Sequence, residues 1–411
     1  MRNPETSRRR WFGYGAAASL GAPSAFAASP AARGIYNVRD LGAKGDGIAL
    51  DTNAIQRAID AASEAGGGRV YFAPGRYLSG GLALRSRVTL ELENGATLLG
   101  SRDLNHYPKR IPALRSYTDN YVDRCLIYAE NAEDVAITGM GKIDGQGKSF
   151  PGPYLARPYL IRMVGCRGVS VSNITLLDSP MWVQHYLACD EVDIRSIRVH
   201  SRANANNDGI DIDGCHRVRI SDCEISSGDD AIVLKSTLAR LTRDVVITNC
   251  VLSSHCNALK LGTETNGGFQ NISISNCSIH DTRLSGVTLQ IVDGGVLDGV
   301  TISNITMHRV NNPLFLRLGN RARPFVKGGE TPGTGRMHNI TISNIEAHGG
   351  TRTGCAISGL PGHSIENVTL ANLRLSFEGG GTGEDAGRTV PESPDRYPEH
   401  HMFGTLPTYG L

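Results

Sequence analysis

The stretch VRISDCEISS at residues 218–227 is followed by VVITNCVLSS at 245–254 and by ISISNCSIHD at 272–281. In each, β-branched apolar residues stand at the first and third positions, and Asp or Asn stands at the fifth. Alternation of apolar residues is typical of a β-strand with one buried face. Since Asn and Asp tolerate left-handed backbone, the fifth position predicts a turn after every strand.

The same unit recurs along most of the chain. We call its first residue the anchor position; the anchors are Val169, Val192, Val218, Val245, Ile272, Val300, Ile340 and Val368. The predicted turn residues, four places later, are Asn173, Ser196, Asp222, Asn249, Asn276, Asn304, Asn344 and Asn372. The intervals are 23 to 28 residues, except for 40 residues between Val300 and Ile340, where the insertion RARPFVKGGETPGTG (321–335) lies. A period of this size predicts a solenoid, and its short strands predict a parallel β-helix. The helix should be right-handed, because crossover connections strongly prefer that hand.

The N-terminal part predicts a cap for the solenoid. NVRDLGAKGDG (37–47) is typical of a strand and a Gly-rich turn, TNAIQRAIDAASEAGGG (52–68) predicts one amphipathic helix, and VYFAPGRYLSGG (70–81) returns to strand. The predicted fold class is therefore all-β: a right-handed single-stranded parallel β-helix with a short N-terminal capping helix, in one domain over residues 28–411. The last stretch, YPEHHMFGTLPTYGL (397–411), predicts neither a strand nor a cap.

Residues 1–27 predict an export signal. Three arginines (Arg8, Arg9 and Arg10) and Trp11-Phe12 precede a run of small apolar residues that ends in Ala25-Phe26-Ala27, a cleavage pattern. The arrangement predicts use of the twin-arginine export machinery, with an ordinary secretory signal as the alternative. We expect a periplasmic or secreted protein. A formal net charge of +2 favours neither nucleic acid nor a membrane surface as a partner.

The nine cysteines follow the repeat. Cys166, Cys189 and Cys215 recur at 23 and 26 residues, and Cys223, Cys250 and Cys277 recur at 27. This spacing predicts buried free thiols that stack from coil to coil as small apolar residues. The chain has no C-x-x-C pair, so we expect neither a metal nor a redox cofactor.

Asp208, Asp229 and Asp230 stand at the starts of strand-like runs in the segments NNDGIDIDGC (206–215) and SGDDAIVLKS (227–236). Aligning the coils puts Asp208, Asp230, Asn257 and Ser285 in one column. Strict alternation would turn these side chains into the apolar core, where an unpaired carboxylate costs several kcal/mol. A backbone bend at Gly228 is therefore expected to turn Asp229 and Asp230 toward solvent.

Crowded carboxylates repel one another, which raises the pKa of at least one of them. One protonated and one ionised carboxyl group, about 6.5 to 9.5 Å apart, are what inverting glycoside hydrolysis needs. His255, Arg283, Lys235 and Lys260 should lie on the same side of the coils. Together with Asn257 they are the candidates for substrate binding. The alternative is that the Asp pair only ends a coil in a polar turn.

These motifs, on a repeat of this period, resemble glycoside hydrolase family 28, the polygalacturonase family. NNDGID and SGDDAI match the family's N-x-D and G/Q-D-D motifs. The resemblance implies a glycoside hydrolase that acts on pectic polysaccharide or oligosaccharide by metal-free inversion. It implies that Asp229 is the general acid and that Asp208 and Asp230 hold the attacking water as base. DDAIVLKS is similar to exo-acting bacterial members.

Two family motifs differ here. Asn257 occupies the place of the histidine in the family's G-H-G motif, and His255 lies two places earlier. RLS (283–285) keeps Arg283 but has Ser285 in place of the lysine of R-I-K, so Lys260 or Lys235 would take over that role. Two other functions stay open: a calcium-dependent polysaccharide lyase with Arg283 as base, and a non-catalytic carbohydrate-binding β-helix.

Overall fold

The computed structural model describes residues 34–117, 121–407 and 410. The predicted export signal at residues 1–27 lies outside these ranges. Within them, each helix is too short or too polar to cross a lipid bilayer.

The 28 described strands stack as three columns of parallel strands, and most coils add one strand to each column. The first column contains β1 (Gly34–Asn37), β3 (Gly68–Phe72), β6 (Val88–Leu92), β9 (Glu133–Thr138), β12 (Arg167–Ser172), β15 (Asp190–Arg195), β18 (His216–Ser221) and β21 (Thr242–Thr248). The second contains β2 (Asp46–Leu50), β4 (Gly75–Ser79), β7 (Ala96–Gly100), β10 (Lys142–Asp144), β13 (Thr175–Leu177), β16 (Arg198–Ser201), β19 (Glu224–Ser227) and β22 (Val251–Ser254). The third contains β5 (Leu82–Ala83), β8 (Cys125–Glu130), β11 (Tyr159–Val164), β14 (Gln184–Leu187), β17 (Ile210–Asp213), β20 (Ile232–Ser236), β23 (Leu259–Thr265) and β27 (Ala356–Ser358).

The later coils are formed by longer strands. They are β24 (Phe269–Ile291), β25 (Val296–Leu318), β26 (Arg336–Gly350) and β28 (Ile365–Phe377). Strand β24 pairs with β21, β22 and β23 in turn, so it passes through all three columns. The predicted parallel β-helix is confirmed.

The anchor residues pair in the predicted register through the first column, from Val169 with Val192 to Ile340 with Val368. All eight predicted turn residues have left-handed backbone, with φ between +54° and +60°. We call this exposed stack of turn residues the turn ladder. Its side chains bond from coil to coil: Asn304 Nδ2 donates to Asn276 Oδ1 at 3.1 Å, and Asn344 Nδ2 donates to Asn304 Oδ1 at 3.0 Å.

Helix α1 (Thr52–Glu64) follows the first two strands. Its buried residues recur every three or four positions, which places them on one face: Ala54, Ile55, Ala58, Ile59 and Ala62. This face packs against β1 and β3 and covers the first coil, as the sequence predicts. Further helical segments within the described ranges are α2 (Gly383–Ala386) and the 3₁₀ turns at Leu104–His106, Gly147–Ser149, Tyr154–Ala156 and His400–Phe403.

The repeating cysteines lie in the core of the solenoid, where all six are buried and free. The backbone N–H of Cys189 donates to Cys215 Sγ at 3.3 Å, across neighbouring coils. The predicted stacks of buried thiols are confirmed. Cys256 differs because it is only partly buried.

Candidate active site

The aspartates lie where the chain enters strands of the third column. Successive backbone bonds run from Gly209 N to Asp230 O at 2.9 Å, from Ala231 N to Asn257 O at 2.8 Å and from Ala258 N to Ser285 O at 2.9 Å. This is the register that the sequence predicts, and it continues from Ser285 to Asn312. We call the stack of Asp208, Asp230, Asn257, Ser285 and Asn312 the aspartate column.

A cavity of about 300 Å³ opens beside this column. Five predicted site residues line it: Asp208, Asp229, Asp230, Lys235 and Lys260. Eleven further residues complete the lining: Tyr121, Tyr154, Trp182, Asn206, Cys256, Thr263, Glu264, Arg321, Arg323, Tyr397 and Glu399. The structure therefore brings the three aspartates and both lysines to one cavity.

Asp230 is 2% exposed, so the expectation that it faces solvent is wrong. Lys260 Nζ lies 3.0 Å from one carboxylate oxygen. The other oxygen accepts bonds from the backbone N–H of Asn257 at 3.1 Å and from its Nδ2 at 2.8 Å. Burial alone would raise the pKa of Asp230, but Lys260, Lys235 and the bond from Asn257 hold it below its ordinary value. Asp230 is therefore an ionised carboxylate.

Asp229 has the opposite environment. One of its oxygens accepts a bond from the backbone N–H of Asp230 at 3.0 Å, and the other accepts one from Asn206 Nδ2 at 3.4 Å. Burial and the adjacent charge of Asp230 raise the pKa of Asp229 above its ordinary value. Asp229 and Asp230 are neighbours in sequence with opposite pKa shifts, which is the arrangement that separates an acid from a base.

The bend before this pair depends on Gly228, but not through left-handed backbone. A Cβ added at Gly228 would lie 3.0 Å from the carbonyl oxygen of Asn204 and 3.3 Å from Asn207 Cβ. Close approach of the preceding coil therefore explains the glycine. The bend is held by the hydroxyls of Ser227 and Ser254, which donate to the carbonyl oxygen of Asp229 at 2.6 and 2.5 Å.

Asp208 is 3% exposed, and one carboxyl oxygen has no hydrogen-bond partner within residues 34–117, 121–407 and 410. Burial, together with the charges of Asp229 and Asp211, raises the pKa of Asp208 well above its ordinary value. Of the three aspartates in the cavity, Asp230 is thus ionised, and Asp208 and Asp229 favour the protonated form.

Both lysines point to the same side of the coils, as predicted, but neither is solvated. Lys235 Nζ lies 3.2 Å from Glu264 and 3.6 Å from Asp211, and it stands 4.7 Å from the centre of the Trp182 ring. Lys260 Nζ also lies 3.3 Å from Glu399. Burial disfavours the charge of each lysine, but the adjacent carboxylates raise the pKa of both well above the ordinary value.

His255 and Arg283 are not among the residues that line the cavity. His255 Nε2 lies 2.8 Å from a guanidinium nitrogen of Arg202. Burial and the charges of Arg202 and Arg283 lower the pKa of His255, so it is neutral. Arg283 is exposed. The two residues therefore belong to a basic surface patch, and His255 does not replace Asn257 in the column.

The sequence did not indicate the residues that close the cavity from outside the coils. The insertion at 321–335 supplies Arg321 and Arg323. Residues 391–407, which we call the C-terminal strap, supply Tyr397 and Glu399. The strap contains no strand, as predicted, but it packs Met402, Phe403 and Leu406 onto Phe315. The spacing of the repeat gives no signal for such segments, because they lie between or beyond its units.

Asp229, Asp230 and Cys256 bring three possible metal ligand atoms within 4.8 Å of one another. The set fits calcium poorly, because calcium prefers six to eight oxygen ligands. Lys260 also contacts Asp230 at 3.0 Å, so a cation there would face a neighbouring positive charge. The donor chemistry favours acid–base work over a calcium site.

Comparison with known proteins gives matches over most of the chain. Residues 79–392 match the family model described as Glycosyl hydrolases family 28. Residues 35–99 match the model described as Rhamnogalacturonase A/epimerase, pectate lyase-like. The first of these matches covers more than half of the chain.

Individual relatives agree with the family match. A probable polygalacturonase from Vitis vinifera is 34% identical over 293 residues, and the match spans 65% of this chain but only 60% of the grapevine protein. An endo-polygalacturonase from Pectobacterium carotovorum subsp. carotovorum is 26% identical over 80% of this chain and 84% of its own length. The solved structure of an exopolygalacturonase from Thermotoga maritima has a TM-score of 0.72 at 23% identity, covering 84% of this chain and 90% of that chain. The last likeness concerns the fold.

Proposed function

Because the chain belongs to glycosyl hydrolases family 28, we propose that it hydrolyses glycosidic bonds in pectic polysaccharide or oligosaccharide, as an exo-acting and inverting enzyme. The observation that carries the proposal is the opposite pKa shift of the adjacent Asp229 and Asp230 in one cavity. General acid–base catalysis needs one group of each kind.

In this mechanism Asp229 donates its proton to the glycosidic oxygen as the bond from that oxygen to the anomeric carbon breaks. A water oxygen bonds to the anomeric carbon from the opposite face, and Asp230 accepts a proton from that water. Lys260 and Asn257 keep Asp230 ionised before the reaction. The buried oxygen of Asp208 that has no partner among the described residues would accept a hydrogen bond from the same water.

Two features support action at a chain end. A volume of about 300 Å³ lies at the lower limit for small-molecule pockets, about 300 to 1,000 Å³, and suits one or two sugar residues. The lining includes residues of the insertion and of the C-terminal strap, as well as Tyr121 and Tyr154. Lining residues from outside the repeating coils restrict the cavity, which favours binding of the end of a polysaccharide chain over binding of its middle.

The export signal expected at residues 1–27 agrees with this function. A pectic polymer lies outside the cell that degrades it, so we propose that the enzyme acts in the periplasm or the medium.

The experiment is to measure reducing ends released from a panel of pectic polymers and oligosaccharides, in EDTA, with product sizes and the anomer first formed. The variant Asp229→Asn should lose about 10² to 10⁴-fold in kcat. The matched control is Asp222→Asn, which makes the same change at an exposed turn position where the coils at Asn249 and Asn276 carry Asn.

Single sugars released with inversion support the whole proposal. Long products would contradict exo action, and equal activity of wild type and Asp229→Asn would contradict the proposed acid. Activity lost in EDTA, with an unsaturated product, would indicate a calcium-dependent lyase. Binding without any new reducing end would indicate a carbohydrate-binding protein.

A further inference from the structure

Four cationic side chains of the described residues line the cavity: Lys235, Lys260, Arg321 and Arg323. A uronic acid substrate would need at least one of them for its carboxylate. Whether these four side chains are already paired with protein carboxyl groups therefore decides whether the cavity accepts a charged or an uncharged sugar.

Each of the four already contacts protein carboxylates. Lys260 lies 3.0 Å from Asp230 and 3.3 Å from Glu399. Lys235 lies between Glu264 and Asp211.

The two arginines of the insertion are engaged in the same way. Arg323 Nη2 lies 2.7 Å from Glu264, and Arg321 Nε donates to Asp293 at 2.8 Å. Burial raises the pKa of Asp211 and of Glu399, so what each cation contacts matters more than a count of charges. Each of the four cations already has at least one carboxyl partner, and these partners are Asp211, Asp230, Glu264, Asp293 and Glu399. A sugar carboxylate that entered would have to compete with one of these partners for its cation, and a carboxylate buried without a cationic partner is strongly unfavourable.

Glu399 is the carboxylate that the coils themselves do not supply. It is 7% exposed, and besides Lys260 it accepts a bond from Asn257 Nδ2 at 3.4 Å. The strap that carries it is fixed on both sides. Gln290 Nε2 donates to the carbonyl oxygen of Pro398 at 2.7 Å, and Arg317 donates to that of Glu392 at 2.6 Å. Glu399 therefore takes the place beside Lys260 that a uronate carboxylate would need.

We propose that the cavity accepts an uncharged sugar, and that Glu399 is a specificity residue that excludes uronates by occupying the position beside Lys260. The substrate would be a pectic oligosaccharide or side chain whose terminal residue carries a hydroxymethyl or methyl group in place of a carboxylate. Tyr154, which lines the cavity and is exposed, offers aromatic surface to the apolar face of such a sugar. The inference rests on the hydrolase proposed above.

The first test compares kcat/KM of the wild type on two sets of pectic oligosaccharides. One set ends at its non-reducing end in a uronate and the other in an uncharged sugar, and the released sugar is identified by mass. We expect at least a 100-fold preference for uncharged ends. Release of a uronate with equal or higher kcat/KM would overturn the inference while leaving the hydrolase in place.

The second test measures binding alone, so it does not depend on hydrolysis. Galacturonate and galactose differ only at C6, and both are titrated by calorimetry into wild type, Glu399→Gln and Glu392→Gln. Glu392 is an exposed glutamate of the same strap, so its variant is the matched control. We expect Glu399→Gln alone to bind galacturonate about tenfold more tightly, with galactose unchanged.

If the affinity for galacturonate is the same in wild type and Glu399→Gln, or if wild type binds galacturonate more tightly than galactose, the inference is wrong. Melting temperatures of both variants establish that they are folded. If no pectic substrate yields reducing ends, the proposed hydrolase fails, and the titrations still decide whether the cavity rejects negative charge.

Discussion

The turn ladder and the aspartate column are both stacks in parallel register, and each consists of Asp and Asn side chains apart from one serine. The turn ladder lies on the outer surface, where Asn276 and Asn304 bond to each other across coils. The aspartate column is buried, and Asp230 contacts Lys260 and Asn257 instead of water.

The difference teaches that neither residue type nor register distinguishes a structural stack from the stack that we propose to be catalytic. Water screens the charge–charge interactions of exposed side chains. Burial strengthens every charge–charge interaction, so the lysines and the crowding of Asp208, Asp229 and Asp230 shift the pKa values apart. Three measurements, from the largest expected effect to the smallest, would break or sharpen this comparison.

The largest effect should follow Asp230→Asn. The variant removes the proposed base, and we expect kcat to fall by about 10² to 10⁴-fold. Glu399 still contacts Lys260, so the lysine keeps one anionic partner and the fold should persist, as judged by circular dichroism. Asp222→Asn makes the same change in the turn ladder and should leave kcat unchanged. A loss within tenfold for Asp230→Asn, or an equal loss in both variants, would remove the distinction between the two stacks.

A smaller effect is expected in the pH dependence of kcat/KM. The proposed base Asp230 must be ionised, so activity should be lost as the pH falls through its lowered pKa. The proposed acid Asp229 must be protonated, so activity should be lost as the pH rises through its raised pKa. Asn257→Ala removes a hydrogen bond to the charged form of Asp230. Such a bond stabilises the charged carboxylate by about 1.5 to 3 kcal/mol, which corresponds to a pKa shift of about one to two units.

We therefore expect the acidic limb of the profile to move to higher pH in Asn257→Ala, by about one unit. Asn312→Ala is the control, because Asn312 belongs to the same column and is buried but donates to the carbonyl oxygen of Gly354. An acidic limb that stays in place in Asn257→Ala would mean that this bond does not set the protonation of Asp230.

The smallest effect should follow Asn276→Ala in the turn ladder. Asn276 has φ +57°, and an alanine in left-handed backbone costs about 1 to 2 kcal/mol. The free energy of unfolding in urea should fall by about that amount, with kcat unchanged. Asn276→Gly should lose less, because glycine adopts this backbone without the steric cost. Equal losses in the two variants would assign the stability to the bond with Asn304 instead.

The repeat made most of the fold predictable. Anchors such as Val218 and Val245 repeat one local pattern, and stacking in a solenoid converts that pattern directly into tertiary register. The column that joins Asp208 to Asp230 and Asn257 follows from the same register. It could be read from the sequence because it requires only counting along equivalent coils.

The surroundings of the column could not be read in this way. Glu264, Arg323 and Glu399 reach the cavity from the far end of a strand, from the insertion and from the C-terminal strap. No period relates these positions to Asp230. One expectation about Asp230 is wrong for the same reason. The sequence predicts that Asp230 faces solvent, but it is buried, and two lysines and an asparagine hold its pKa below the ordinary value.

The C-terminal strap adds a consequence for the order in which this enzyme matures. The coils that carry Asp208 and Asp230 emerge from the ribosome long before Glu399, which stands 169 residues after Asp230 in the chain. Growing chains fold from the N-terminal side, so Lys260 contacts Asp230 before its second carboxylate has been made. The cavity therefore acquires its final charge balance and its last wall only when the strap docks onto Phe315. Under the functions proposed above, synthesis completes the selectivity of the site after it completes the proposed acid and base.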